Sequence, residues 1–109
     1  MGVSIHDDVF KALADASRRE ILDRLRDEGG LSLGQLCTGH DMSRQAVAKH
    51  LAILEGANLV VTVWRGREKL HFLNPVPIHE IASRWIARFQ FNHLQALHAL
   101  KQALEGNPP

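Results

Sequence analysis

The sequence predicts a mainly α-helical fold with one small β-hairpin. Apolar residues recur at helical spacing along most of the chain, whereas the hydrophobic period changes to two between residues 60 and 73. Capping residues and glycines separate these segments into four helices, the hairpin and a final long helix. A chain of 109 residues has the usual size of one domain, so we expect residues 1–109 to form a single domain.

The composition is that of an ordinary globular protein. Because 45% of the residues are hydrophobic and 23% are charged, disorder of the whole chain is excluded. The one cysteine excludes an intrachain disulfide framework and is typical of a reducing compartment. The first residues, MGVSIHDD, lack a signal-peptide pattern, and no apolar run approaches the roughly 20 residues that span a bilayer. We therefore expect a cytoplasmic protein with no membrane partner.

Two helices are predicted in the first 30 residues. The first covers about residues 7–14, with Phe10 and Leu13 facing the core. Ser17 and Glu20 then have the spacing of a capping box, which predicts the start of the second helix. The apolar stripe of this second helix consists of Ile21, Leu22 and Leu25.

A short helix and a longer one follow, and together they predict a helix-turn-helix at about residues 32–55. Ser32 and Gln35 form a second capping box, and Ser43 is placed to cap the fourth helix. Because Ala46 stands where that cap would have its acid, the helix N-terminus stays positive and open to an external anion, although many helices simply lack the box. The apolar stripe of the fourth helix consists of Val47, Leu51 and Leu54.

The other face of the fourth helix combines small side chains with long hydrogen-bond donors. Its residues are Arg44, Gln45, Ala48 and Lys49, and no acid follows until Glu55. Small residues let a helix approach closely, whereas arginine and glutamine pair with guanine and adenine edges in the major groove of DNA. We expect this face to bind double-stranded DNA, with Lys49 on a phosphate or a base; the alternative is a solvated helix face.

The predicted hairpin, at about residues 60–73, has a basic tip. Gly66 supplies the turn, and Arg65, Arg67 and Lys69 are placed to contact the DNA backbone or the minor groove. Trp64 is expected to cover the base of the hairpin. Three helices, an exposed donor helix and a basic hairpin, in that order, are typical of a winged helix-turn-helix, in which the hairpin is the wing.

Charge is distributed unevenly along the chain. Residues 43–73 have five cationic and two acidic side chains, a net +3, whereas residues 1–30 have five cationic and seven acidic ones, a net −2. This asymmetry favours an anionic partner for the segment that contains the donor helix and the wing.

The last predicted helix, at about residues 77–105, is long for so small a domain. At 1.5 Å per residue it would extend roughly 40 Å, more than the rest of the chain can cover. Its apolar residues are also too numerous for one stripe. We therefore expect part of this helix to contact a second subunit.

Four segments resemble the ArsR-type (arsenical-resistance-operon repressor) transcription regulators. They are ALADASRREILDRL at residues 12–25, LSLGQL at 31–36, SRQAVAKHLAILEGANLV at 43–60 and RGREKLHFLNP at 65–75. The resemblance implies a homodimeric repressor that binds an operator palindrome and pairs through its first and last helices. The implied DNA-binding residues are Ser43, Arg44, Gln45, Ala48, Lys49, Arg65, Arg67 and Lys69, and the dimerisation residues are Phe10, Leu13, Ile81, Trp85, Phe89 and Leu97.

The family's metal-ligand spacings are missing. Cys37 has no second thiolate two residues on, and a soft metal needs two or three close together. His79, His93 and His98 likewise lack the spacing of the family's last-helix site. We expect no metal and no cofactor, with Cys37 as a small packed residue, while a redox-sensitive thiol and a metal shared across the dimer remain alternatives.

Two rival functions remain at this point: a metal- or thiol-responsive sensor of the same fold, and a winged helix used as a protein-interaction module. An enzyme is not expected, because the chain has no phosphate loop, nucleophile motif or recognisable pair of catalytic carboxylates. We expect His50 to be packed or hydrogen-bonded inside the domain. Arg18 and Arg19 are interpreted as solvated charge, with a phosphate contact as the alternative.

Overall fold

The computed structural model describes residues 5–86 and 91–106, and its contacts divide the chain into two compact units, residues 1–78 and 79–109. The elements in chain order are α1 (Ile5–Leu13), α2 (Ala16–Asp27), α3 (Leu33–Cys37), α4 (Arg44–Gly56), β1 (Val60–Arg65), β2 (Glu68–Leu73), α5 (Val76–Ile81), a π-helical turn (Ala82–Ile86) and α6 (Phe91–Leu104). The predicted mainly helical fold with one hairpin is confirmed.

The core of the first unit lies where α1, α2 and α4 meet one another and the hairpin. The predicted stripes of α2 and α4 are both buried there. The largest side chains that are fully buried are Val9, Ile21, Leu36, Val47, Leu54 and Leu59. Because α4 is held by one complete stripe, its opposite face is left at the surface.

The inward face of α1 differs from the prediction. Val9 and Ala12 are fully buried, whereas Phe10 is 46% exposed, so the prediction that Phe10 faces the core is wrong, while Leu13 is half-buried on the same side of the helix as Val9. Residues three apart share a helix face, and the small Ala12 lets α1 pack closely against its neighbours. Phe10, one residue after Val9, is rotated about 100° away from that contact.

The start of α2 also differs from the prediction. Asp15 is the N-cap, and its Oδ1 accepts a hydrogen bond from the backbone N–H of Arg18 at 3.1 Å. The predicted capping box of Ser17 and Glu20 is therefore wrong. Two good capping residues lie two positions apart in this sequence, and because the helix starts at the earlier one, Ser17 lies inside its first turn.

Hydrogen bonds fix both ends of the short helix α3. At its start Ser32 and Gln35 form the predicted capping box, with Ser32 Oγ accepting from the Gln35 backbone N–H at 3.2 Å. At its end Arg24 of α2 donates from Nη1 to the carbonyl oxygens of Thr38, at 2.7 Å, and Leu36, at 3.4 Å. These bonds satisfy groups that a helix terminus leaves unpaired and set the connection to α4.

The hairpin is antiparallel, and its register runs from Val60 opposite Leu73 to Arg65 opposite Glu68. Gly66 has φ +63°, as the first residue of a two-residue hairpin turn requires. The face turned to the domain includes His71, which is buried and donates from Nδ1 to the Leu31 carbonyl at 2.8 Å. A backbone bridge joins the same two residues and anchors the hairpin to the segment before α3.

The second unit contains the last three residues of α5, the π-helical turn and α6. The predicted continuous helix at residues 77–105 is described only as these separate segments, because residues 87–90 lie outside the described part. Phe89, a predicted dimer residue, is among them. Leu97, Leu100 and Leu104 of α6 are exposed at helical spacing along one side. In the described ranges, no helix is both long enough and apolar enough to cross a membrane.

Candidate nucleic-acid interface

The exposed face of α4 contains every residue predicted to bind DNA from that helix. Ser43 caps the helix, and its Oγ accepts a hydrogen bond from the Ala46 backbone N–H at 3.1 Å, as predicted. The first turn contains no acidic residue. Ser43, Arg44, Gln45, Ala48 and Lys49 are all exposed. The face is therefore accessible, rich in hydrogen-bond donors and positive at its N-terminal end.

Part of this face forms one wall of a groove of about 510 Å³ between α4 and the wing. Arg44 and Ala48 line it from α4, while Arg67 and Lys69 line it from the wing. Gln45 and Lys49 lie on α4 but are not part of its lining. The structure thus brings together four of the eight residues predicted to bind DNA.

An ion pair connects the wing to α4. Lys69 Nζ lies 3.4 Å from Glu55 Oε1, and both side chains are partly exposed. Glu55 is the residue at which the acid-free face of α4 ends, and both members of the pair line the groove. Lys69 thus has a partner within the domain. This contact could not be predicted from the position of Lys69 near the hairpin tip.

The prediction that Trp64 covers the base of the hairpin is wrong. Trp64 is 66% exposed and lines the groove. In the register Trp64 lies opposite Lys69, next to the turn. Opposed residues share a face of the sheet. A two-residue turn at Gly66 could therefore have placed Trp64 beside Lys69 from the sequence.

His50 and Arg18 have structural contacts inside the domain. His50 Nδ1 accepts a hydrogen bond of 3.4 Å from Arg18 Nη1, which agrees with the expectation for His50. Arg18 also donates from Nε to the Ala12 carbonyl at 2.8 Å and from Nη2 to the Lys11 carbonyl at 3.0 Å. The backbone N–H of Arg18, with a smaller contribution from the charge of its guanidinium, lowers the pKa of Asp15.

Arg19 completes the same arrangement. Its Nη1 donates to the Leu13 carbonyl at 2.7 Å, so two consecutive arginines bind carbonyl groups at the end of α1. A helix C-terminus leaves such carbonyls without partners. Both guanidinium groups therefore stabilise the junction between α1 and α2.

Replacing Arg18 by alanine is expected to lower the free energy of unfolding by about 1.5–3 kcal/mol, because carbonyl groups at the end of α1 lose charged donors. The matched control is Arg26→Ala on the same helix, where the side chain is exposed and pairs with Asp23 and Asp27. Urea unfolding measures both variants. Equal losses of stability in the two variants would contradict the role given to Arg18.

The potential metal ligands are dispersed. Cys37 is a half-buried free thiol at the end of α3. His79 is hydrogen-bonded to Ser83 at 3.4 Å, and His98 to Gln102 at 3.2 Å. Within the residues that the structure describes, no group of three or more His, Cys, Asp or Glu side chains is placed to hold a metal ion.

Comparisons with known proteins agree with this geometry. Residues 13–63 match a family described as a helix-turn-helix domain. The chain is 41% identical over 86 residues to an uncharacterised HTH-type transcriptional regulator, YuzN, of Bacillus subtilis (strain 168), a match that covers 73% of this chain and 94% of that protein. It is 34% identical over 67 residues to the arsenical resistance operon repressor of Escherichia coli (strain K12), covering 62% of this chain and 57% of that repressor.

A solved structure gives the same result for the fold. The ArsR-like transcriptional regulator from Rhodococcus sp. RHA1 superposes with a TM-score of 0.67 and 35% identity, and the match covers 91% of this chain and 92% of that one. These relatives are DNA-binding regulators of transcription, a class without enzymatic activity. The fold, the exposed face of α4 and the similarity to the Rhodococcus regulator over nearly the full length of both chains agree. The chain therefore belongs to the ArsR-type family of winged helix-turn-helix transcription regulators.

Proposed function

We propose that this regulator is a dimeric, sequence-specific repressor that binds a palindromic operator. The α4 helix of each subunit enters one of two successive major grooves, about 34 Å apart. The observation that carries the proposal is the face of α4, which is exposed, has no acid in its first turn and adjoins the basic groove of the wing. Repression is supported by the E. coli relative, which is named a repressor.

The residues of this surface have different roles. Arg44 and Gln45 contact guanine and adenine edges and supply most of the discrimination between sequences, while the small Ala48 permits close approach. Contacts to phosphates supply most of the affinity. The residues assigned to the DNA backbone are Ser43, Lys49, Arg65, Arg67 and Lys69.

The dimer is proposed to form through the first and last helices. Phe10 of α1 and Leu97 of α6 are large apolar residues that remain exposed in the chain, and Trp85 of the π-helical turn is 44% exposed. Exposed apolar surface of this kind is typical of an interface with another subunit. The complete proposed set is Phe10, Leu13, Ile81, Trp85, Phe89 and Leu97.

Replacing Arg67 by alanine is expected to weaken binding to every duplex and to reduce the slope of log K against log salt by about 2, because each subunit of the dimer loses one phosphate contact. The control is Arg26→Ala, which removes an exposed arginine of α2 that does not line the groove. Fluorescence anisotropy of labelled duplexes across a salt series gives both slopes. If the unchanged protein bound no duplex at any salt concentration, the proposed function itself would be wrong.

Replacing Ala46 by glutamate is expected to strengthen the cap of α4 and to weaken DNA binding about fivefold per subunit, since a negative charge near a phosphate costs about 1 kcal/mol. Ala46→Gln is the matched control, because it has the same size and can also form a capping box but has no charge. Thermal unfolding measures the cap, and anisotropy measures the affinity. Equal affinities of the two variants would show that the open helix terminus does not contribute to binding.

A further inference from the structure

Trp64 is a large apolar side chain that the fold of the first unit leaves two-thirds exposed. It is 66% exposed and lines the groove together with Arg44, Ala48 and Arg67. An exposed tryptophan among basic residues contributes little to a hydrophobic core. Its position in the groove therefore indicates a role in binding a partner.

The charges in the groove favour a polyanion beside Trp64. Three cationic and two acidic side chains line the groove; Glu55 is paired with Lys69 at 3.4 Å, which leaves Arg44 and Arg67 against Glu68. Arg44 and Arg67 form no ion pair with any residue in the described ranges. Arg67 on the wing is thus available to a phosphate group, and Arg44 on α4 is available to a base edge.

The position of Trp64 in the hairpin favours a contact with the backbone of DNA over a contact with its bases. Trp64 lies in the strand, opposite Lys69, whereas Arg67 lies further out in the turn. With α4 in the major groove, the strand that separates this groove from the next would run between α4 and the wing. That strand presents alternating phosphates and sugars to the groove walls, and the base edges lie on its far side.

We infer that the indole of Trp64 packs against deoxyribose of the DNA strand that runs between α4 and the wing, as an apolar contact that does not depend on base sequence. The inference rests on the proposed DNA binding. Arg67 holds a neighbouring phosphate, while the flat indole of Trp64 covers the C–H surface of the sugar, which a charged side chain cannot desolvate favourably. Trp64 then adds affinity without releasing a counterion.

The first test follows Trp64 directly by fluorine NMR. The full chain is labelled with 5-fluorotryptophan, and the W64F variant assigns the two resonances, which belong to Trp64 and Trp85. A generic duplex of about 30 base pairs, long enough for two half-sites one helical turn apart, is added at low salt. We expect the Trp64 resonance to shift and to lose most of its H₂O/D₂O solvent-isotope effect as anisotropy reports binding.

The second test compares affinities across salt concentrations. W64A is expected to weaken binding about tenfold on the generic duplex with an unchanged salt slope, because apolar surface and no charge is removed. V63A is the matched control, because Val63 is 54% exposed on the opposite face of the same strand. W64F should retain most of the affinity, which separates lost contact from misfolding of the wing.

The outcomes separate the inference from the proposed function. A bound duplex with an unchanged Trp64 resonance, or equal affinities of W64A and V63A, would overturn the inference and leave DNA binding intact. A reduced salt slope in W64A would also contradict it, since an apolar contact releases no counterion. If the unchanged protein bound no duplex, the proposed function and this inference would both fail.

Discussion

Replacement of Gln45 by alanine is expected to weaken binding to the operator by about 1–3 kcal/mol and to change binding to random-sequence DNA little. Gln45 is exposed in the first turn of α4, the part of a recognition helix that contacts base edges. An amide there can accept from and donate to one adenine, a match that random DNA offers only by chance. The loss should therefore appear only on the correct sequence.

Anisotropy titrations of the same protein with two labelled duplexes measure this effect, and the random duplex serves as the control for folding. A variant that loses affinity equally on both duplexes would show that Gln45 contacts the backbone and not a base. Arg67→Ala, which is expected to weaken both, provides the comparison for a pure backbone contact.

Replacement of Leu54 by alanine is expected to destabilise the protein by about 2–5 kcal/mol, because the side chain is fully buried and its removal leaves a cavity. This is a large share of the 5–15 kcal/mol that holds a typical domain folded. Leu54 belongs to the stripe that holds α4 onto the first unit. Its loss should therefore impair DNA binding indirectly, by unfolding the helix that presents the binding face.

The matched control for Leu54→Ala is the neighbouring Ile53→Ala, which removes an equally large side chain from a position that is 38% exposed. We expect Ile53→Ala to lower the free energy of unfolding by about 1 kcal/mol or less, because the side chain of Ile53 buries less apolar surface than that of Leu54. Urea unfolding measures both variants. Similar costs at the two positions would mean that α4 is rotated from the orientation described, and its DNA-binding face with it.

The start of α3 and the buried face of α4 could be predicted because each has one local signal. No other residue with a capping side chain lies in residues 28–31 before Ser32, and the stripe of α4 leaves only one face that can be buried, although Asp41 competes with Ser43 as the cap of α4. The start of α2 could not be predicted in this way. Asp15 and Ser17 are both good caps, and contacts of Arg18 with the end of α1 accompany the choice of the earlier one.

The face of the wing that packs against the domain could not be predicted from the sequence, for a different reason. Its strands have large apolar residues on both faces, so their alternation does not determine which face packs against the domain. The bridge between Leu31 and His71, forty residues apart, accompanies the orientation that is observed. Trp64 was misplaced for this reason. Contacts between elements, such as the pair of Lys69 with Glu55, likewise have no signal in residue spacing.

Selection of bound duplexes from a random-sequence library shows whether the protein binds a specific operator as a symmetric dimer. The bound duplexes should share a palindrome whose half-sites are centred about 10–10.5 base pairs apart or a multiple of it, as two symmetric α4 helices in successive major grooves require. Gln45→Ala should then relax the preference at one position in each half-site. Recovery of duplexes with no shared sequence, or with one unpaired half-site, would contradict a dimer that binds a specific operator.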